Sequence, residues 1–273
     1  MSVRPKKGLG QHFLADPGVV HRIVDAVEAP PEARVVEIGP GEGAMTGALL
    51  ARYPSLVALE IDGEAVAHLR QRYPALDLRE GDVLEADWSA LARDLPPAAS
   101  TATPEASGAG SAPSLFVAGN LPYYITSPIL LGLLDARAHV ARAVVMVQKE
   151  VAERVASPHG SKTYGTLSVY FALYARTEPL FTVPPEAFRP PPKVDSAVLA
   201  IDFRRPAPEA GGVAFGALQR VVRAAFGQRR KMLRNSLGPL AASAGRGVPG
   251  WAATLRPEQV SPADFVRLTH ALL

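Results

Sequence analysis

Cysteine is absent from this chain, which excludes disulfides, thiolate nucleophiles and cysteine-ligated metals together. The six histidines (His12, His21, His68, His139, His159, His270) show no ligand spacing, so no metal site is expected. Long apolar runs are missing as well. None approaches the ~20 residues of a membrane span, and Met1-Ser-Val-Arg-Pro-Lys-Lys7 lacks the apolar stretch of a secretory signal, so a cytosolic location without a membrane partner is expected. Acidic residues are scarce at one end only. Residues 206–273 hold 9 Lys+Arg against 3 Asp+Glu, while residues 1–205 hold 20 against 23, so the net +3 combines a body at −3 with a tail at +6. Such a tail suits a polyanion partner or a merely solvated helix face, and charge alone does not choose between them.

What is present is ordinary for a globular protein. With 48% hydrophobic positions, the 273 residues can bury one full-sized core and carry a small appendage. Asp16-Pro17 reads as an N-cap with proline in the first turn, and Val19, Val20, Ile23, Val24 and Val27 follow at helical spacing. Val35-Val-Glu-Ile38 reads as a strand that runs into Gly39-Pro-Gly-Glu-Gly43 and then a helix through Met45, Leu49 and Leu50. The pattern repeats with strands at Leu56–Leu59 and Leu76–Leu78 around a helix at Ala65–Leu69, then strands at Leu115–Ala118 and Ala143–Val147 around a helix at Ile129–Leu134. Alternating strands and helices predict an α/β, doubly wound, mostly parallel sheet of Rossmann-like form. Leu167–Leu173 and Ala197–Ile201 are read as an antiparallel pair at one edge, and the small, nearly uncharged stretch 96–114 as a mobile surface loop.

Pro206–Gly212 resembles a linker and coincides with the charge break, which gives domains at 1–205 and 206–273. In the second, Phe215, Leu218, Val222 and Ala225 mark one helix face with Arg220 and Arg223 off it. Arg229, Arg230, Lys231 and Arg234, interleaved with Met232, Leu233 and Leu237, suggest a basic amphipathic helix. Ser261-Pro-Ala-Asp264 has the form of a capping box that opens a last helix.

Glycines after a first strand let the backbone approach a ligand, with the next helix N-terminus aimed at it. Glu60, ending the second strand, suits both hydroxyls of a ribose, and Asp82, just after the third, suits the exocyclic amine of an adenine. Gly39-x-Gly41-x-x-Ala44 also satisfies a tolerant dinucleotide fingerprint, so the loop alone leaves both readings open. Glu37 leans toward a nucleoside with an amino-acid tail, because a carboxylate there repels a pyrophosphate. The lesser alternative for Glu60 and Asp82 is a structural role as caps or surface ion-pair partners.

Asn120-Leu-Pro-Tyr123 follows a buried strand and therefore falls at the same sheet edge. An adenine amine is a poor nucleophile because its lone pair is delocalised into the ring. The Asn120 side-chain oxygen and the Leu121 carbonyl can each accept one N–H and leave the lone pair aimed at a sulfonium methyl, with Pro122 stiffening the turn and Tyr123 stacking on the base. The bland alternative is a strand-ending turn. Base chemistry requires the target out of its stack, and Tyr123, Tyr124 and Phe188 can offer the faces that hold it, although Phe188 can also be plain core.

At this point the chain resembles the ribosomal RNA adenine dimethyltransferases of the KsgA (RsmA) type, relatives of the erythromycin-resistance methyltransferases. The resemblance is carried in order by Gly10-Gln-His-Phe-Leu14, Glu37-Ile-Gly-Pro-Gly41, Leu59-Glu-Ile-Asp62, Gly81-Asp82, Gly119-Asn-Leu-Pro-Tyr-Tyr124, Gln148-Lys-Glu-Val-Ala-Glu-Arg154, Phe188-Arg-Pro-Pro-Pro-Lys-Val-Asp-Ser196 and Phe226-Gly-Gln-Arg-Arg-Lys231. It implies S-adenosyl-L-methionine as cofactor and dimethylation of two neighbouring adenines in a hairpin near the 3′ end of 16S rRNA within the small (30S) ribosomal subunit. A monomer acting in subunit biogenesis is expected. Cofactor contacts are implied at His12, Leu14, Gly39, Glu60, Asp82 and Asn120, with Glu37, Gly41 and Ile61 in the same motifs. His12 stands where the family often has asparagine. The basic residues Arg220, Arg223, Arg229, Arg230, Lys231 and Arg234 are the expected RNA-binding set. Rival readings are a large-subunit resistance enzyme and a non-catalytic RNA-binding assembly or transcription factor.

Overall fold

The computed structural model describes residues 4–6, 8, 10–93 and 114–273. The loop expected over 96–114 therefore lies, Ser114 excepted, outside the described residues. The chain divides into two compact units, one of Met1–Ala152 with Glu178–Arg204 and the other of Glu153–Thr177 with Arg205–Leu273. One boundary between these units falls between Arg204 and Arg205, and residues 153–177 group with the C-terminal stretch.

In the first unit the elements run β1 (Phe13–Leu14), α1 (Pro17–Ala26), β2 (Val35–Ile38), α2 (Thr46–Arg52), β3 (Val57–Glu60), α3 (Gly63–Arg72), β4 (Asp77–Glu80), α4 (Trp88–Arg93), β5 (Leu115–Asn120), α5 (Thr126–Asp135) and β6 (Val140–Gln148). Next along the chain, α6 (Lys149–Val155) crosses the division and α7 (Thr166–Tyr174) lies in the second unit, after which the first unit resumes along β7 (Arg176–Val183) with β8 (Phe188–Arg189) and β9 (Ser196–Asp202). Seven strands form one sheet in the order β4-β3-β2-β5-β6-β9-β7, and β1 pairs with β8 in a separate ribbon. The strands β4 to β6 are parallel, whereas β9 runs antiparallel to β6.

Each feature follows from local chemistry. Asp16 caps α1 by accepting the N–H groups of Gly18 and Val19 at 2.7 and 3.2 Å, a cap contributing ~1 kcal/mol. Strand β2 is buried on both faces, as parallel strands between helical layers are, hence its nearly unbroken apolar run. From β2 the chain winds outward through β3 and β4 on one side and through β5 and β6 on the other. That reversal opens a crevice beyond the carboxyl ends of β2 and β5, the usual ligand position in such sheets. Gly119 lets the two strands close up, since a Cβ there would lie 2.9 Å from the Ile38 carbonyl oxygen.

One expected strand is a helix. Residues 167–173 fall within α7, and the antiparallel partner of β9 is β6, with β7 as the edge strand. Nearly every side chain of α7 is buried, so the run shows no polar face by which periodicity separates a buried helix from a strand.

The second unit adds α8 (Phe215–Gly227), α9 (Leu233–Ser236), α10 (Gly238–Ser243), α11 (Gly250–Ala253) and α12 (Pro262–Leu272). Its core is aromatic: Phe226 stacks on Phe265 at 5.8 Å, Tyr164 meets Phe226 edge-on at 5.9 Å, and the Tyr164 hydroxyl donates to the Val260 carbonyl at 3.0 Å. Ser261 caps α12, its Oγ accepting the Asp264 N–H at 3.1 Å and donating to Asp264 Oδ2 at 2.8 Å, a one-sided cap in place of the expected box. The expected basic helix does not form as read. Gln228 leaves helical geometry, Arg229 to Lys231 make a turn closed by the Lys231 N–H on the Gln228 carbonyl at 2.8 Å, and only Arg234 lies on a helix, the short α9. To the 9 Lys+Arg of 206–273 the observed division adds Arg154, Lys162, Arg176 and Arg205, and to the 3 Asp+Glu it adds Glu153. The unit thus holds 13 cationic against 4 anionic side chains, a sharper polarity than the sequence split shows.

Candidate active site

The turn after β2 is built on backbone that few residues tolerate. Gly41 has φ +56°, and a Cβ on it would lie 2.7 Å from the Phe13 ring, so a side chain there would push the N-terminal segment away. The turn is tied to β3: the Gly39 N–H donates to the Leu59 carbonyl at 2.9 Å, and the Gly41 N–H to Glu60 Oε2 at 3.0 Å. The other Glu60 oxygen accepts the Asp62 N–H at 2.9 Å. Burial raises the Glu60 carboxyl above its ordinary value, against the pull of the Asp62, Gly41 and Ile61 N–H groups.

A cleft of about 240 Å³ opens here. Of the residues expected from sequence, His12, Gly39, Gly41, Glu60, Ile61, Asp82 and Asn120 to Tyr124 all line it. Ile61 and Leu84, both exposed, give it apolar rims, and Asp82 does two jobs by also capping the following turn through the Leu84 N–H at 2.9 Å. These residues fit an adenosyl group. A Cβ on Gly39 would meet no protein atom, a carboxylate stands where ribose hydroxyls need acceptors, and aliphatic side chains flank the space a flat base would take.

Three expected residues are not on its wall. Leu14 is 5% exposed and packs in the core beside β8; Phe188, at 2%, is its register partner in the same ribbon and a core residue, so it does not offer a face to a base. Glu37 is wholly buried beneath the turn, where its Oε2 accepts from Thr46 Oγ1 at 2.7 Å and so helps start α2.

Burial pushes the Glu37 carboxyl up to about 8 from an ordinary 4.5, partly opposed by the Thr46 hydroxyl. Between those values the native state binds a proton that the unfolded chain has lost, so stability declines as pH rises through this window. We expect the apo protein with Glu37→Gln to lose about 1.4 kcal/mol per pH unit of that decline, one proton's worth. Urea unfolding from about pH 5 to 8 checks it, and parallel curves for the two proteins would refute it.

The side chains at the end of β5 are oriented by the N-terminal segment. Asn120 Nδ2 donates to the His12 carbonyl at 2.8 Å. A carbonyl oxygen only accepts, so the nitrogen must sit on that side and Oδ1 remains the acceptor for a ligand. The Leu121 N–H is held by the Met146 carbonyl at 3.0 Å, and Thr126 Oγ1 donates to the Pro122 carbonyl at 2.9 Å, which fixes the turn. The Tyr123 hydroxyl shares a hydrogen bond of 2.6 Å with Ser196 Oγ; burial raises this phenol, partly offset by that bond, which keeps the ring neutral. The His12 ring stacks on Tyr123 at 5.6 Å and donates through Nδ1 to the Pro190 carbonyl at 2.8 Å. Tyr124 stands at the mouth, 57% exposed.

Gln11 and Asp62 fall within the sequence motifs, yet their residue types alone assign them no task. Gln11 Nε2 donates to Asp62 Oδ2 at 3.1 Å, and Lys6 pairs with the same buried carboxylate. Burial alone would raise Asp62, yet the Lys6 ammonium, the Gln11 amide and the Glu64 N–H hold it below the usual aspartate range. In the second unit, Arg220, Arg223, Arg229, Arg230, Lys231 and Arg234 are all exposed, and Arg229 donates to the Lys162 carbonyl.

A parallel sheet with a glycine turn at its switch point, a buried carboxylate on the next strand and an Asn-Leu-Pro-Tyr turn on the opposite one defines a Rossmann-like class I methyltransferase. Comparison with known proteins agrees. Residues 3–254 match the family described as Ribosomal RNA adenine dimethylase. The "Ribosomal RNA small subunit methyltransferase A" of Salinibacter ruber is 46% identical over 98% of this chain and 85% of its own length. A dimethyladenosine transferase from Plasmodium falciparum shares the fold, with TM-score 0.70 at 23% identity over 94% of this chain and 96% of that one. The 23S rRNA methyltransferase ErmE gives TM-score 0.61 at 26% identity over 95% and 99%. This chain belongs to the ribosomal RNA adenine dimethylase family.

Proposed function

We propose that this methyltransferase uses S-adenosyl-L-methionine to dimethylate the N6 amine of two adjacent adenines in a hairpin near the 3′ end of 16S rRNA, within the small ribosomal subunit. The observation that carries the reading is the Asn120 amide, whose nitrogen is committed to the His12 carbonyl so that its oxygen is left to accept. When bound, the cofactor supplies a methyl group on a positively charged sulfur. Asn120 Oδ1 takes one hydrogen of the target amine and the Leu121 carbonyl the other, which favours the pyramidal nitrogen whose lone pair can attack. Tyr123 supplies a flat face for the extruded base and Tyr124 a second at the mouth. Glu60 and Asp82 hold the adenosyl group. No strong base is needed, because the nitrogen that has gained a methyl carries positive charge and gives up its proton readily.

The small subunit is favoured over the large one by the 46% identity to a relative named for the small subunit, against 26% to the 23S enzyme. The excess of cations on the second unit supports that unit as the part that meets ribosomal RNA. The reading takes the catalyst as a monomer that acts in the cytosol, where subunits are assembled. Incubating the protein with labelled cofactor and undermethylated small subunits, then mapping modified nucleotides, is expected to show two adjacent N6-dimethylated adenines near the 3′ end. Label confined to large-subunit RNA, or no label on either, would overturn the proposal.

A further inference from the structure

The two ends of the Asn120 amide have nearly the same shape, so catalysis of the kind proposed above depends on something that selects one orientation. The selecting partner is the His12 carbonyl, and a carbonyl on an N-terminal segment is only as well placed as its neighbours. Gln11, the residue next to it, is gripped from both sides. Its Oε1 accepts the Lys6 N–H at 2.8 Å, and its Nε2 donates to Asp62 Oδ2 at 3.1 Å. Asp62 has a side chain of 0% exposure and stands just beyond β3; its Oδ1 accepts from Lys6 Nζ and from the Glu64 N–H at 3.0 Å, while its own N–H is held by Glu60. The same segment carries the His12 ring onto Tyr123.

We infer that Gln11 and Asp62 are positioning residues that fix the His12 carbonyl and, through it, the orientation of the Asn120 amide. The inference rests on the reading of Asn120 as the acceptor of the adenine amine. Neither residue touches the target; they act through one backbone oxygen. The competing role is a mere wall of the cofactor cleft, since Gln11 also lines it. The two roles separate because wall damage weakens cofactor binding, whereas misorientation slows turnover at saturating cofactor.

The hydrogen-bond chemistry offers a swap that keeps the geometry. Gln11→Glu alone sets two carboxylates against each other, and Asp62→Asn alone sets two amide donors against each other, so each single change breaks the clamp. Gln11→Glu combined with Asp62→Asn restores an acceptor for the Lys6 N–H and a donor–acceptor pair between positions 11 and 62. Each single variant is expected to turn over at least ~10-fold more slowly at saturating cofactor, with its cofactor dissociation constant within about 3-fold of the parent, and the pair to recover most of that loss. A readout without turnover accompanies it. The Asn120 side-chain amide protons, assigned by their disappearance in Asn120→Ala, should lose their hydrogen-bonded shift and exchange protection in the singles and regain both in the pair.

Single variants with parental turnover overturn the inference, as does a folded pair no faster than Asp62→Asn, a loss lying wholly in cofactor affinity, or amide signals indifferent to all three. Should the parent methylate no RNA, the reading of the function fails while the amide signals still decide the clamp.

Discussion

Asn120→Ala is expected to reduce methyl transfer to adenine by at least ~100-fold while leaving cofactor affinity within about 3-fold of the parent. The size follows from what the side chain does in the proposed reaction. Its oxygen meets a hydrogen that grows more positive as the amine becomes pyramidal, so the bond strengthens on the way to the transition state and contributes to rate more than to binding. The turn that holds it does not depend on the side chain: the Leu121 N–H is fixed by the Met146 carbonyl, and Gly119 is locked between strands. Asn120→Asp makes the sharper comparison, because it keeps size and an acceptor yet places a carboxylate against the His12 carbonyl where Nδ2 now donates. It should be as slow as the alanine variant. Labelled-methyl assays on undermethylated subunits with calorimetric titration of the cofactor decide the matter, and parental turnover in either variant would sink the mechanism.

Neutralising Arg229, Arg230 and Lys231 to glutamine should weaken binding to the small subunit by roughly 100-fold at moderate salt and lower the salt slope by about 2 to 3, one counterion for each phosphate that is no longer neutralised. These side chains are exposed in a turn, and the bond from Arg229 to the Lys162 carbonyl lies at the surface, so their replacement removes charge with little cost to folding. Turnover on a saturating amount of subunits should change far less than affinity. A binding curve with an unaltered salt slope would mean that this turn faces solvent in the complex and that the polyanion is met elsewhere.

Most of the first unit was legible because its signals are local. A strand that ends in glycines, a carboxylate at the next strand end and an Asn-Leu-Pro-Tyr turn each declare themselves within a few residues, and the sheet order brings them to one crevice. What was not legible depends on packing. Thr166–Tyr174 is apolar on every side, so spacing gave no hint of its period; Phe188 looked like a stacking residue until the ribbon with β1 turned it into the core. Gly227 marks the end of α8 in the sequence, but that Arg229 to Lys231 then form a turn on the Gln228 carbonyl and not a second basic helix is a matter of backbone geometry. Gln11 and Asp62 stand 51 positions apart, and nothing in either neighbourhood announces that they meet.

The helical unit is assembled from two stretches that lie far apart in the chain, Glu153–Thr177 and Arg205–Leu273. Tyr164 and α7 come from the first, Phe226 and Phe265 from the second. A chimera that exchanges only the tail between relatives would therefore splice half of one hydrophobic interior onto half of another, and graft boundaries meant to transplant substrate preference must be cut in two places.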